Sequence, residues 1–254
     1  MPVIDFHSHI LPAIDDGSES VEMSLGMLRA MKAYGTDLVV STSHFYGRRS
    51  TVDEFLERRH RAAEKIVRAL SETDFGSLTP AILSESMRCL PDLPEVRLGC
   101  EVAFRFGIDD DPDLGKLCIE GTNTLLLELP FGDWGEYEAD VVQALAVDRG
   151  FDVVLAHFER FPAFRKNAPI ADRIASLPVT LQVNAEDLLP MMTRGKVLDL
   201  FRRRIIPLLG SDAHNLTDRA PNLDKGREKI ARKLGESVLA ESDRNAARLA
   251  GLEG

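Results

Sequence analysis

The sequence predicts an α/β barrel of parallel strands with a multinuclear metal site at one rim, and three observations predict it. Apolar β-like runs alternate with helix-period segments along the chain. Metal-ligand side chains stand at the ends of those runs. Two of the ends repeat an i, i+2 spacing, in Asp5-Phe6-His7-Ser8-His9 and in Asp212-Ala213-His214. On an extended strand, residues two apart face the same way, so His7 and His9 can serve one ion, and Asp212 with His214 adds a carboxylate and an imidazole. One such pair is common by chance. Here only His60 of the six histidines lies away from a strand end.

In order, residues 2–7 form the first strand. The loop Leu11-Pro12-Ala13-Ile14-Asp15-Asp16-Gly17 follows, then a helix over about 20–34 that Ser18 or Ser20 caps. Residues 37–42 form the second strand and deliver His44, and a long polar helix covers 52–73. The stretch to about 94 fits neither period. Residues 96–100 present Glu101, and residues 124–127 present Glu128 before Pro130 stops the strand. A helix at 136–149 leads to the strand 152–156, which ends at His157. The strand 179–183 ends at Asn184, and the strand 205–210 ends at Asp212 and His214. Helices at 222–234 and 236–250 complete the chain. That makes seven strands, against eight in the common closed barrel.

A chain of 254 residues with 44% apolar content and no linker-like tract or internal repeat is expected to be one domain over 1–254. No apolar run approaches the ~18 residues of a membrane span, and no basic segment precedes an apolar signal core, so a cytoplasmic protein without membrane insertion is expected. Cys89, Cys100 and Cys118 are odd in number and lack C-x-x-C spacing, which argues against a disulfide framework or thiolate zinc site. They read as buried small apolar residues. The formal charge of −10 argues against a nucleic-acid partner. Arg58-Arg59-His60-Arg61 and Arg202-Arg203-Arg204 read as solvated helix faces or ends.

In a closed barrel the carboxyl ends of the strands share a rim, so separate deliveries of ligand-type side chains converge on one pocket. Glu128 makes the sharpest case, because a carboxylate between Leu125-Leu126-Leu127 and Leu129-Pro130-Phe131 is costly to bury without a cation or hydrogen bonds. Glu101 makes the same case less strongly. Oxygen and imidazole donors suit manganese, iron or zinc. Thiolate phosphatase chemistry is excluded, since it needs a cysteine and an arginine bracketing five residues and Cys100 reaches Arg105 after four. No G-x-x-x-x-G-K-[ST] loop is present.

The ordered set of D-x-H-x-H, the Asp-Asp-Gly loop, Thr42-Ser43-His44, Gly99-Cys100-Glu101, Glu128, Ala156-His157-Phe158-Glu159-Arg160-Phe161 and Ser211-Asp212-Ala213-His214-Asn215 resembles the PHP (polymerase and histidinol phosphatase) superfamily. Within it, His7 through Gly17 and the His-x-Glu-Arg-aromatic motif are similar to the bacterial manganese-dependent protein-tyrosine phosphatases of capsule and exopolysaccharide biosynthesis. The resemblance covers essentially the whole chain. It implies a distorted, TIM-barrel-like (β/α)7 barrel and three divalent ions, manganese by family expectation with iron or zinc as alternatives. Their ligands would be His7, His9, Asp16, His44, Glu101, Glu128, His157, Asp212 and His214. Asp5 and Asp15 would orient histidines or shape the loop. Arg160 and Arg219 would bind phosphate, with Asp212 counted in the catalytic set as well.

The implied reaction is hydrolysis of phosphotyrosine on a protein partner, an autophosphorylating bacterial tyrosine kinase. Two rival readings are a PHP phosphatase of a small metabolite (histidinol phosphate, a sugar phosphate or a nucleotide) and a catalytically silent phosphoprotein-binding module. Three departures are expected on the rim and bear on substrate choice. Phe158 replaces a usual proline or isoleucine, Phe45-Tyr46-Gly47-Arg48-Arg49 follows His44, and Asn184-Ala185-Glu186-Asp187 is unusually acidic. The last also reads as a capped helix start.

Overall fold

The computed structural model describes residues 1–70, 78–161, 168–202 and 207–252. All the strand pairings are parallel, in the orders β1-β2-β4 and β3-β5-β6-β7-β8-β9. The strands are β1 (Ile4–Ser8), β2 (Leu38–Ser41), β3 (His44–Phe45), β4 (Glu95–Leu98), β5 (Glu101–Ala103), β6 (Thr124–Glu128), β7 (Asp152–Leu155), β8 (Thr180–Asn184) and β9 (Leu208–Gly210).

The predicted second and third strands are each broken, at Thr42-Ser43 and Gly99-Cys100, and the breaks lie side by side. Gly99 N donates to Ser41 O at 2.8 Å and Glu101 N to Thr42 O at 3.0 Å, so the ladder steps sideways and continues. Counting each broken strand once leaves the seven expected positions. The ring ends meet where His9 N donates to Ala213 O (2.9 Å) and Asp212 N to His7 O (2.8 Å), beside an isolated Ser8–Ala213 bridge.

Helix α1 (Val21–Ala33) starts where Ser20 Oγ accepts from Met23 N at 3.2 Å, and it buries Leu25, Leu28 and Met31 at helical spacing. Helix α2 (Val52–Leu70) is followed by α3 (Pro80–Arg88), which lies in the stretch that fitted neither period. Its start is chemically ordinary, with Thr79 at the N-cap and Pro80 in the first turn. Helix α4 (Glu136–Gln143) runs into a wider turn closed by Arg149 N on Ala144 O, so the two together fill the predicted 136–149. Then follow α5 (Ala168–Ser176), α6 (Met191–Arg202), α7 (Leu223–Leu234) and α8 (Glu236–Leu249). Residues 71–73 of the predicted long helix, 205–206 of the last predicted strand and Arg203-Arg204 lie outside the described residues.

Ile4 and Phe6 of β1, Leu38 and Val40 of β2, Val154 of β7 and Leu208 of β9 share one buried cluster with Ala246, Ala247 and Leu249 of α8. Strands β2 and β7 are not neighbours in the sheet, so their contact in one cluster places these side chains inside the ring. Two other clusters join the strands' opposite faces to the surrounding helices. Among the described residues no helix is long and apolar enough to cross a membrane.

Several expectations need correction. Arg59 is buried rather than solvated: its guanidinium donates to Gly99 O at 3.0 Å, satisfying a carbonyl exposed by the strand break. Cys89 is exposed, whereas Cys100 and Cys118 are buried as expected. Phe158 does not reach the rim. It is fully buried against Trp134, which removes it from substrate choice.

Candidate metal centre

The centre is built where the strands end. The β1–β2 register slips between Asp5 and Ser8, a bulge of the kind that re-aims side chains next to functional sites. His7 and His9 leave it with Nε2 atoms 3.1 Å apart. Two glycines make room for them. A Cβ on Gly17 would lie 2.5 Å from His9 Cβ, and one on Gly210 would lie 2.5 Å from His7 Cβ.

Glu101, at the start of β5, lies at the middle. Its Oε2 is 3.3 Å from His7 Nε2, 3.4 Å from His9 Nε2 and 2.9 Å from His44 Nδ1, while its Oε1 is 2.8 Å from His157 Nε2. Glu128 Oε1 approaches the same His157 nitrogen at 3.4 Å. On the other side, Asp212 Oδ1 lies 3.6 Å from His7 Nε2 and 3.5 Å from His9 Nε2. Asp16 Oδ1 lies 3.4 Å from His44 Nε2 and 3.5 Å from His214 Nε2. All nine candidate ligands therefore meet in one place. Three overlapping groups, His9/Asp16/His44/His214, His7/His9/Glu101 and His44/Glu101/Glu128, each hold donor atoms within 4.8 Å of one another.

The carboxylate burial is the reverse of the sequence reading. Glu101 is 1% exposed and Glu128 14%, so the argument for a buried acid that needs a cation belongs to Glu101. Glu128 ends β6 facing the mouth, which an apolar flank alone does not reveal.

The surrounding hydrogen bonds select one ring nitrogen on three histidines. Gln182 Oε1 accepts from His157 N at 2.8 Å and lies 2.9 Å from His7 Nδ1, so His7 carries its proton on Nδ1. Asp15 Oδ2 does the same for His9 Nδ1 at 2.8 Å, and the Asp212 carbonyl for His214 Nδ1 at 2.9 Å. Each arrangement leaves Nε2 bare and aimed inward, the condition for metal ligation. Fit to a cation has an independent sign: His214 Nε2, which faces Asp16, is buried without any hydrogen-bond partner, a costly state for a ring nitrogen. Imidazoles and carboxylates around such an atom suit divalent ions.

Electrostatics agree with a site crowded with donors. Burial disfavours charge on His9 and His157, yet hydrogen bonds that the first donates to Asp15 and Glu101, and the second to Glu101 and Glu128, push both pKa values up to about 10. Burial, reinforced by repulsion from His9, pushes His214 down to about 4. Burial would raise Asp212 as well, but His7, His9 and Arg219 prevail and hold it below the usual carboxylate range.

Asp212 Oδ2 faces the mouth and accepts from Asn184 Nδ2 at 2.9 Å, Arg160 at 3.1 Å and Arg219 at 2.8 Å. Holding this carboxylate and His157 in place uses left-handed backbone, with φ of 52° at Asp212 and 30° at His157. A cavity of about 250 Å³ opens between the two arginines and Glu101. Tyr46 forms one wall, stacked on His44 at 5.1 Å, and Phe131 another, stacked on His157 at 5.8 Å.

Sequence reasoning missed Gln182. Its signal was present, since a lone amide in the apolar run Leu181-Gln182-Val183 is unusual for a strand interior. Asn184, a strand end that also reads as a helix start, is followed by a short 3₁₀ turn, Ala185–Leu188, rather than by a capped α-helix. Glu186 is exposed. Asp5 accepts from Ser211 N at 2.8 Å and ties the first strand to the segment after β9 instead of orienting a ring. Buried Cys100 donates to Leu117 O and its thiol is pushed up to about 12, which is unsuited to nucleophilic attack.

A family model described as capsular polysaccharide synthesis, CpsB/CapC, matches residues 3–249. The chain is 26% identical over 255 aligned positions to the tyrosine-protein phosphatase YwqE of Bacillus subtilis, covering 97% of this chain and 91% of that protein. It is 24% identical to the tyrosine-protein phosphatase CpsB of Streptococcus agalactiae, covering 92% of each. Among solved structures it superposes on one from work describing YwqE of Bacillus subtilis and CpsB of Streptococcus pneumoniae as metal-dependent tyrosine phosphatases. The TM-score is 0.79 at 24% identity, covering 98% of this chain and 94% of that one.

Proposed function

Because the chain belongs to the CpsB/CapC capsular polysaccharide synthesis family, we propose that it is a metal-dependent phosphatase that hydrolyses phosphotyrosine on a protein partner. The observation that carries this reading is the position of Arg160 and Arg219, side by side on Asp212 Oδ2 at the mouth of the nine-ligand cluster. A phosphate group entering there meets two guanidinium forks on one side and the candidate metal centre on the other.

Divalent ions held by His7, His9, Asp16, His44, Glu101, Glu128, His157, Asp212 and His214 would supply charge neutralisation and an acidified water. Three ions, with manganese as the working metal, accord with the three overlapping donor groups and the oxygen and imidazole chemistry. Arg160 and Arg219 hold the nonbridging oxygens and fix the line of attack. Phe131 and Tyr46 both line the cavity and are aromatic partners for an aryl ring. A phenolate leaves with a conjugate acid of pKa ~10, so no strong general acid is required.

The partner class that fits is an autophosphorylated tyrosine kinase of polysaccharide export, met in the cytoplasm by this chain acting as a single domain. A phosphatase of histidinol phosphate or a sugar phosphate would use the same centre, and the aromatic walls favour the aryl ester over those. The test is turnover by metal-stripped protein, with and without manganese, on a phosphotyrosine peptide, histidinol phosphate and a sugar phosphate. Manganese-dependent preference for the peptide is expected. Preference for either small ester overturns the substrate assignment, and absence of turnover with every metal points to a binding module.

A further inference from the structure

A second polar cavity of about 310 Å³ adjoins the first, lined by Asp16, His44, Tyr46, Arg49, Ser50 and Arg58. His44 and Tyr46 line both cavities, so the two share a wall. Arg49 lies over the Tyr46 ring at 4.6 Å, on a ring that also stacks on His44. Arg58, in the second turn of α2, donates to Ser50 Oγ at 3.2 Å.

Among the described residues, neither of these two arginines has a carboxylate within ion-pair distance. Of the basic residues nearby, Arg61 pairs with Glu57 and Arg105 with Asp111, while Arg48, exposed in the same loop, has no ion pair among the described residues. The acids of the cavity itself are committed elsewhere. Both oxygens of Asp15 are taken, by His9, His44 N and Gly17 N, and Asp16 faces His44, His214 and Arg219. In a chain of net charge −10, these two exposed arginines, with only Glu54 acting on Arg58 through space, leave guanidinium donors beside the candidate centre open to an anionic group from outside.

We infer that this cavity is a second anion subsite, which takes an acidic or phosphorylated side chain within about two residues of the phosphotyrosine on the substrate. The inference rests on the phosphotyrosine reading above. The spacing follows from the shared wall: an extended peptide advances about 3.3 Å per residue, so a neighbour one or two positions away reaches across His44 and Tyr46. A carboxylate and a second phosphate offer the same chemistry, paired oxygens for a guanidinium fork. Substrate choice would thus depend on anionic neighbours as well as on the aryl phosphate.

The experiment compares manganese-loaded protein on three peptides of one length, in which the phosphotyrosine has neutral, glutamate or phosphotyrosine neighbours. Wild-type protein is expected to favour an anionic neighbour by about tenfold in kcat/KM, mostly through KM. The double variant Arg49→Gln/Arg58→Gln should lose that preference, while the neutral peptide keeps its kcat. Which anionic peptide gains more identifies the source, and a gain with either supports the subsite. Equal rates on all three peptides in wild-type protein, or a preference that survives the double variant, overturn it. So does an equal loss in Arg232→Gln/Lys233→Gln on the exposed end of α7, which would mark a long-range charge effect. If no phosphotyrosine peptide is turned over, the phosphatase reading fails first and takes the subsite with it.

Discussion

Asp15 Oδ2 lies 2.8 Å from His9 Nδ1, and the same oxygen accepts from His44 N at 2.9 Å, so one carboxylate outside the ligand cluster fixes the ring of one candidate ligand and the backbone of another. An asparagine in its place would keep the size and remove the charge that holds the His9 proton on Nδ1. Asp15→Asn is expected to weaken metal binding by about 10–100-fold. A chelator-competition titration reads this directly, and wild-type affinity in the variant would mean that Asp15 only shapes the loop.

Arg160→Ala and Arg219→Ala should separate turnover from metal content. Each removes a donor at the proposed phosphate position, for which a loss of about 10²-fold in kcat is typical. Metal stoichiometry by elemental analysis should remain that of wild type. A parallel loss of metal would show that the arginines act by holding Asp212 Oδ2 in place.

Gln182 is fully buried and joins His7, the His157 backbone and Asn184 through one amide. Gln182→Leu leaves His157 N–H and His7 Nδ1 without their acceptor, at a cost of about 1–3 kcal/mol for a stranded buried donor. Chemical denaturation would measure the loss. A variant as stable as wild type would show that another acceptor takes over.

Metal loading should release protons. The pKa values of His9 and His157 are held up to about 10 by their carboxylate neighbours, so near neutral pH protons occupy these rings in competition with an ion. For the stripped protein the sign is definite. A folded pKa above the unfolded value near 6.5 contributes stability fully present below pH 6.5 and lost as pH rises toward 10. Metal affinity should move the opposite way, rising over that window. Calorimetric titrations in buffers of different ionisation enthalpy count the protons, and a buffer-independent heat would refute the competition.

Phe131 is 54% exposed, unusually high for a ring stacked on a candidate ligand. Phe131→Ala should lower kcat/KM for an aryl phosphate by about fivefold, the worth of one aromatic pair near 1 kcal/mol, and barely affect an alkyl phosphate. Equal effects on both esters would assign Phe131 to packing around His157.

Much of this was legible in the sequence because strand ends carry the site. The i, i+2 pairs His7/His9 and Asp212/His214 follow from the strand period, and Glu101 and Glu128 follow apolar runs that could only be strands. What sequence patterns missed depends on depth and on contacts between distant segments. The order of burial of Glu101 and Glu128 is set by the adjacent breaks at Thr42-Ser43 and Gly99-Cys100, which no local pattern announces. Arg59 looked solvated within a basic run, yet it is drawn inward to the Gly99 carbonyl that one of those breaks exposes. Helix α3 escaped because it is short, although Thr79-Pro80 marks its start.

The meeting of His7–His9 with Asp212–Ala213 also sets an order of events in the making of the protein. Candidate ligands stand at the first strand and just after the last, so a chain still leaving the ribosome can present His7, His9, Glu101 and Glu128 but cannot close the ring around them until His214 has emerged. The docking of β9 on β1 completes the barrel and the candidate centre in the same step, so the candidate ligands come together only once the last strand is in place.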